Sequence, residues 1–578
     1  MVRCGILIAL PYHRTCVVLL VMATISRLIL PSRLRHVLQR SWGSLSYAGL
    51  VVATLLFAAS LTPSLLPRHF AVQGLLSGIA LAVGYGVGVL CVWLWFYLEL
   101  PTPSARTEHI CKRLGAVVVA AIAVSFLWRL TVWQNSIRQL MEMGPVESAY
   151  PWRVAAIACL TAVILILAAR GLRKCWLIVN RQVNRVVPRR VSYVLSTLII
   201  GVILLLMVNH VFARIALNIA DNVFSKIDAI VDENIIKPAD ELASGSDKSL
   251  IDWDSVGLQG KRFIVGGPTK EQISQFRKDA ERPLRVYVGL RSKETTEERA
   301  KLALEELKRI GGFNRSVLVI ATPTGTGWLD PGAVDTLEYL HAGNTAIVSV
   351  QYSYLPSWIT ILVDPNRSRD TARALFDEVY GYWTKLSKDR RPKLYLHGLS
   401  LGALGSEASA DLFTVFEDPI QGGLWSGPPF PSTVWSRFTA ARNPDSLVWL
   451  PKFRDGSMLR FIGRENLLDQ SAKRWGPMRF VYIQHASDPM TFFTPELLYR
   501  KPDWLAHERG PDVSPYLRWY PIVTFLQTAF DLPMATSVPT GYGHNFDPAS
   551  YIDAWIAVTA PKAWDKGDTA RLKQLFAK

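Results

Sequence analysis

The sequence predicts an all-α transmembrane helical bundle of about five spans, followed by a soluble α/β domain with a mainly parallel sheet. Three observations carry that expectation. Half of the 578 residues are hydrophobic and the mean hydropathy is positive, too apolar for a disordered chain and too long for one ordinary domain. The formal charge of +17 lies entirely in residues 1–214, where 21 Lys and Arg face 4 Asp and Glu, while the remainder balances at 43 against 43. From about residue 260 onward, short runs rich in β-branched residues alternate with longer helical patterns. Positive charge confined to the apolar part of a chain is a membrane-topology signal, and it excludes a basic nucleic-acid-binding domain.

Residues 1–44 read as a basic cytoplasmic segment, in which the run Cys16–Leu30 is short, interrupted by Arg27 and interfacial in character. Residues 45–213 form the transmembrane domain, because a spanning helix needs about 20 apolar residues. Runs at roughly 45–66, 74–100, 114–133, 152–170 and 191–213 meet or nearly meet that length. Segment 1–44 holds six basic residues, loop 101–113 three and 170–190 seven, whereas the alternate loops hold Arg68 alone and then Arg129, Arg138 and Arg153. The basic loops therefore face the cytoplasm, and everything after Ala213 is expected outside it. Asn209 and His210 close the fifth run and mark its interface. All six cysteines precede residue 176, so the soluble part has no disulfide framework and no Cys-based metal site. No cofactor and no metal is expected.

Residues 214–250 read as a juxtamembrane helix and linker. Ala220, Val223, Phe224, Ile227, Ile230 and Val231 recur at helical spacing within 215–237, and Glu241–Ser249 is small and polar. Residues 251–578 form the α/β domain. Candidate strands are Leu284–Leu290, Ser316–Ala321, Ala346–Gln351, Lys393–His397, Gly423–Trp425 and Phe480–Gln484. Helical patterns lie at Glu297–Ile310, Gly332–His341, Arg367–Ser387 and Leu401–Phe413. In such domains the reactive groups sit beyond the carboxyl ends of strands.

The fourth strand runs directly into Gly398-Leu399-Ser400-Leu401-Gly402 and then into a helix. A G-x-S-x-G turn between strand and helix exposes the serine in a strained conformation, and only glycines fit on either side of it. A serine hydroxyl needs a base, and the base needs an orienting carboxylate. Asp488 follows the strand Arg479–Gln484, and His544 lies in the loop Gly541-Tyr542-Gly543-His544 ahead of a final helix, Ala549–Val558. Asp469, Asp503 and Asp531 compete for the acid position, and His485 and His507 for the base. Backbone amides for an oxyanion would come from Leu401 and from the loop Thr322-Pro323-Thr324-Gly325-Thr326-Gly327-Trp328, with Thr324, Gly325, Thr326 and Gly327 as candidates. The apolar stretch Tyr516–Leu532 is too short to span; it lines an acyl pocket, forms a lid, or is a core helix.

At these residues the chain resembles the bacterial membrane-anchored α/β-hydrolase family, in which a multi-span N-terminal domain precedes a hydrolase domain. The matching segments are SLTPSLLPR (60–68), RVYVGL (285–290), TPTGTGW (322–328), QYSYLPSW (351–358), the serine elbow, HASDPM (485–490), PDWL (502–505) and GYGH (541–544). The resemblance covers about 45–560 and implies a triad of Ser400, Asp488 and His544. The elbow departs from it in having Leu399, not an acidic residue, before the serine. The expectation is a serine hydrolase acting through an acyl-enzyme on a membrane lipid or acylated envelope polymer. An acyltransferase using the same acyl-enzyme, and a non-enzymatic membrane scaffold or transport component, are the alternatives.

Overall fold

A computed structural model describes residues 45–577, apart from 103, 208–212, 230–231, 233, 411–416 and 471–472. The segment 1–44 with its run Cys16–Leu30, the pair Asn209 and His210, and the end of the helical pattern Leu401–Phe413 lie outside the described residues.

The five apolar runs become helices α1 (Tyr47–Ser60), α2 (Phe70–Tyr97), α3 (Ala105–Leu140), α4 (Pro151–Val183) and α5 (Arg189–Leu206). Four of them, α2 to α5, are long and apolar enough to cross a bilayer. The first run differs from expectation: α1 has 14 residues, or roughly 21 Å, short of a bilayer core of roughly 30 Å. Pro63 lacks the amide a helix needs, and the chain leaves the helix just before it. Leu65 and Leu66 then enter the hydrophobic core of the soluble domain.

Small residues let the helices approach. A Cβ at Gly88 would stand 2.5 Å from the Ala48 carbonyl, and one at Gly84 2.8 Å from the Ala53 Cα, so α1 and α2 run antiparallel in close contact. A Cβ at Gly74 would meet Ile157 at 2.7 Å and one at Gly78 would meet Thr161 at 2.5 Å, which sets α4 parallel to α2. Asn135 at the end of α3 donates to Val146 O at 2.9 Å and closes the turn into α4. Loops 61–69 and 141–150 consequently share the bundle end that meets the soluble domain. Tyr47 Oη donates to Lys112 O at 2.8 Å, so the basic loop 101–113 is at the far end.

Helix α6 (Ala213–Asp228) leads to the soluble domain, where Asp228 is buried against Gly257. That domain holds one seven-stranded sheet, all parallel, in the order β1 (Leu284–Val288), β3 (Thr345–Val350), β2 (Val317–Thr322), β4 (Lys393–Leu399), β5 (Gly422–Ser426), β7 (Arg479–Ile483), β6 (Leu459–Ile462). The connecting helices α7 (Thr296–Arg309), α8 (Pro331–Leu340), α9 (Asn366–Trp383) and α10 (Leu401–Ser409) follow the predicted patterns. Parallel strands buried on both faces read as continuous apolar runs, and β2 and β3 are buried at every residue. β6 was not foreseen. It has four residues, one of them Arg460, whose guanidinium is buried on the carbonyls of Gly456 at 2.8 Å and Lys473 at 2.7 Å.

Register positions the site. Thr322 pairs with Gly398, Leu399 with Ser426, and Ser426 with Ile483, so β2, β4, β5 and β7 end level. The loops that follow them open at one edge. The stretch Tyr516–Leu532 contributes helix α11 (Val523–Asp531), packed against α1 and α2, and the chain ends with α12 (Pro548–Thr559) and Lys566–Phe576.

Candidate active site

Ser400 stands between β4 and α10 with φ 59° and ψ −126°, outside the regions a side chain ordinarily occupies. The flanking glycines are sterically required. A Cβ at Gly398 would overlap the Gly402 carbonyl, and one at Gly402 the Thr322 carbonyl. The serine is 1% exposed, yet its Oγ has no hydrogen-bond partner in the protein.

Asp488 caps the short helix Pro489–Phe492, accepting from Met490 N at 2.8 Å. Its other oxygen accepts from His544 Nδ1 at 2.7 Å and from Thr491 Oγ1 at 3.2 Å. This bond places the proton of a neutral imidazole on Nδ1 and leaves Nε2 as the basic nitrogen. His544 Nε2 is buried without a partner, like Ser400 Oγ. Both residues line one cavity of about 330 Å³, walled also by Trp328, Trp358, Met490 and Leu532. That volume lies at the lower end of the range for small-molecule sites.

The competing residues lie elsewhere. Asp469, Asp503 and His507 are on the surface. Asp531 is paired with Arg68 at 2.9 Å. His485 is buried; its Nδ1 donates to Gly543 O at 2.9 Å and its ring stacks on Phe546 at 4.7 Å. Burial pushes its pKa down, and so it is a neutral support of the histidine loop.

Of the candidate amides, that of Leu401 opens α10 and has no intrahelical acceptor. The amide of Thr324 donates to Trp328 O at 2.9 Å, that of Gly325 to Ser357 Oγ at 3.1 Å, and that of Gly327 to Thr324 O at 2.9 Å. Among the described residues the Thr326 amide has no such acceptor, and Thr326 borders the cavity. Tyr287 Oη holds the loop by donating to Gly327 O at 2.7 Å.

Several supporting residues carried no sequence signal of their own. Gly427, just past β5, has φ 51°, and a Cβ there would overlap the His544 ring. Asp512 accepts from Ser487 N at 3.0 Å and Oγ at 2.6 Å, and Ser487 Oγ in turn accepts from Gly543 N at 2.9 Å. A glycine directly after a strand was the one available clue to Gly427. Among the described residues no group of three His, Cys, Asp or Glu side chains is placed to hold a metal ion.

A family model described as the alpha/beta-hydrolase family matches residues 284–572, and the model of that family's N-terminus matches 61–268. The chain belongs to this alpha/beta-hydrolase family. No curated protein and no solved structure matches it. The parallel seven-stranded sheet is consistent with that membership. The matched N-terminus begins at Leu61, at the turn where the chain passes from its bundle into the core of the C-terminal domain.

Proposed function

We propose that this protein is a membrane-anchored serine hydrolase that cleaves a carboxylic ester through an acyl-enzyme on Ser400. One observation carries the reading: the unpartnered Ser400 Oγ and the unpartnered His544 Nε2 share a cavity, with Asp488 bound to the far side of the imidazole. His544 Nε2 takes the hydroxyl proton as Oγ adds to the ester carbonyl carbon. The oxyanion accepts hydrogen bonds from the amides of Leu401 and Thr326. The tetrahedral intermediate collapses, and the leaving alcohol takes the proton from His544. Water repeats the sequence at the acyl-enzyme, releasing the acid and restoring Ser400.

The soluble domain sits at the bundle end away from the basic loop 101–113, which supports an extracytoplasmic site. There an acylated membrane lipid or envelope polymer is the substrate class within reach. Burial of Ser400 favours a second reading, transfer of the acyl group to an alcohol, because a site that excludes water slows hydrolysis of the acyl-enzyme. A fluorophosphonate probe on isolated membranes tests the common core: wild type is labelled and Ser400→Ala is not. Labelling that survives Ser400→Ala overturns the assignment. Added glycerol then separates the two readings, since only transfer gives a glyceryl ester product.

A further inference from the structure

The bundle and the soluble domain meet in a buried polar cluster built on the SLTPSLLPR segment. Arg68 is 8% exposed and each of its three guanidinium nitrogens donates a hydrogen bond. Nε donates to Asp531 Oδ1 at 2.9 Å, Nη1 to Gln73 Oε1 at 3.2 Å, and Nη2 to Gln527 O at 2.8 Å. Leu65 N donates to the second oxygen of Asp531 at 3.2 Å, and Gln527 Nε2 donates to Thr62 O at 2.8 Å. A charged pair so placed is a costly way to join two domains, since apolar packing of the same volume does as well. It does, however, fix direction and register.

What it fixes is the base. Asp531 ends α11, and the next turn, Leu532–Met534, borders the cavity and leads to Ala535. Ala535 O accepts from His544 N at 2.8 Å. Leu66 packs beside the same loop, 3.3 Å from where a Cβ on Gly543 would stand. A second strut reaches it from the end of α3: Glu142 accepts from Arg464 at 3.0 Å, and Arg464 also donates to Tyr542 Oη.

We infer that the membrane bundle is a working part of the active site, with Arg68 and Leu66 acting as positioning residues for the His544 loop. This rests on the serine-hydrolase reading above. The triad would then be complete only when loop 61–69 is docked, and the bundle would serve the reaction as well as anchoring it.

The test uses the full chain in nanodiscs and hydrolysis of p-nitrophenyl butyrate. Arg68→Gln is expected to lower kcat at least tenfold with KM within twofold, and Arg68→Lys to recover part of the loss. A folded Arg68→Gln protein with wild-type kcat overturns the inference. Should Arg68→Gln fail to fold, Leu66→Ala decides: an unchanged kcat overturns the inference, and a loss of kcat at constant KM supports it. A wild-type protein inert to both ester and fluorophosphonate overturns the hydrolase reading and this one with it, whereas a reactive wild type beside an equally reactive Arg68→Gln overturns this one alone.

Discussion

At Gly427 a single hydrogen in place of a methyl group decides whether the imidazole of His544 has room. Gly427→Ala adds a Cβ that overlaps the ring and forces a side chain into φ 51°. A displacement of about 1 Å at a catalytic group costs on the order of 100-fold in rate. Kinetics on an ester should therefore show a loss of that size, while thermal unfolding shifts by only the 1–2 kcal/mol or so typical of a strained residue. His397, two residues before the elbow's Leu399, supplies a pH prediction. It is buried, its Nδ1 donates to Leu424 O at 2.9 Å, and burial lowers its pKa to about 4 from an ordinary 6.5. Between those values the unfolded chain binds a proton that the folded chain does not. Its contribution to stability is thus full above pH 6.5 and is lost as the pH falls through 4. His397→Asn, which keeps a donor for Leu424 O, should flatten the acid limb of stability measured by denaturant titration. Gly398 and Gly402 were legible beforehand because the G-x-S-x-G turn marks both, although the carbonyl that Gly402 must avoid belongs to the distant Thr322. Gly427 was not, because it stands in no such pattern and the ring it must avoid belongs to a distant loop.

Among the elements, β1 is tied to α8 by buried charge. Arg285 Nε and Nη2 donate to the two carboxylate oxygens of Glu338 at 2.8 and 2.7 Å, and Nη2 also meets Asp335 at 2.5 Å. Burial, helped by the neighbouring Asp335 charge, pushes Glu338 up to about 7 against the pull of Arg285. Arg285→Met strands that carboxylate and should cost about 3–5 kcal/mol. Arg285→Met combined with Glu338→Leu should restore much of it, as a double-mutant cycle by denaturant unfolding would show. Six of the seven strands were readable because apolar runs buried on two faces have little polar alternation to obscure them. The four-residue β6, half disguised by Arg460, has too little pattern to read. Helix α1 was overread for the opposite reason: Leu65 and Leu66 continue the apolar run past Pro63, but their partners belong to the C-terminal domain, while Leu61 packs within the bundle. Hydrophobicity records that a residue is buried and does not record by what.

For the whole molecule, orientation is the property to measure. With the soluble domain on the side of loops 61–69 and 141–150, protease added outside intact cells should degrade the region after residue 250 and spare the bundle. Protection of that region until the membrane is opened would reverse the assignment. The pair joining Arg68 to Asp531 spans 463 residues of sequence. At 5–20 residues per second, synthesis separates the two by roughly 20–90 s. Only in the last part of that interval, once residue 400 has been made, does the serine elbow exist on the growing chain, and the segment carrying His544 is then still to come. His544 is delivered after Asp531, long after the turn at Arg68 that, by the inference above, would cradle its loop. On the serine-hydrolase reading, a nascent molecule would carry a strained but unarmed serine until the His544 segment has been made and the turn at Arg68 has docked.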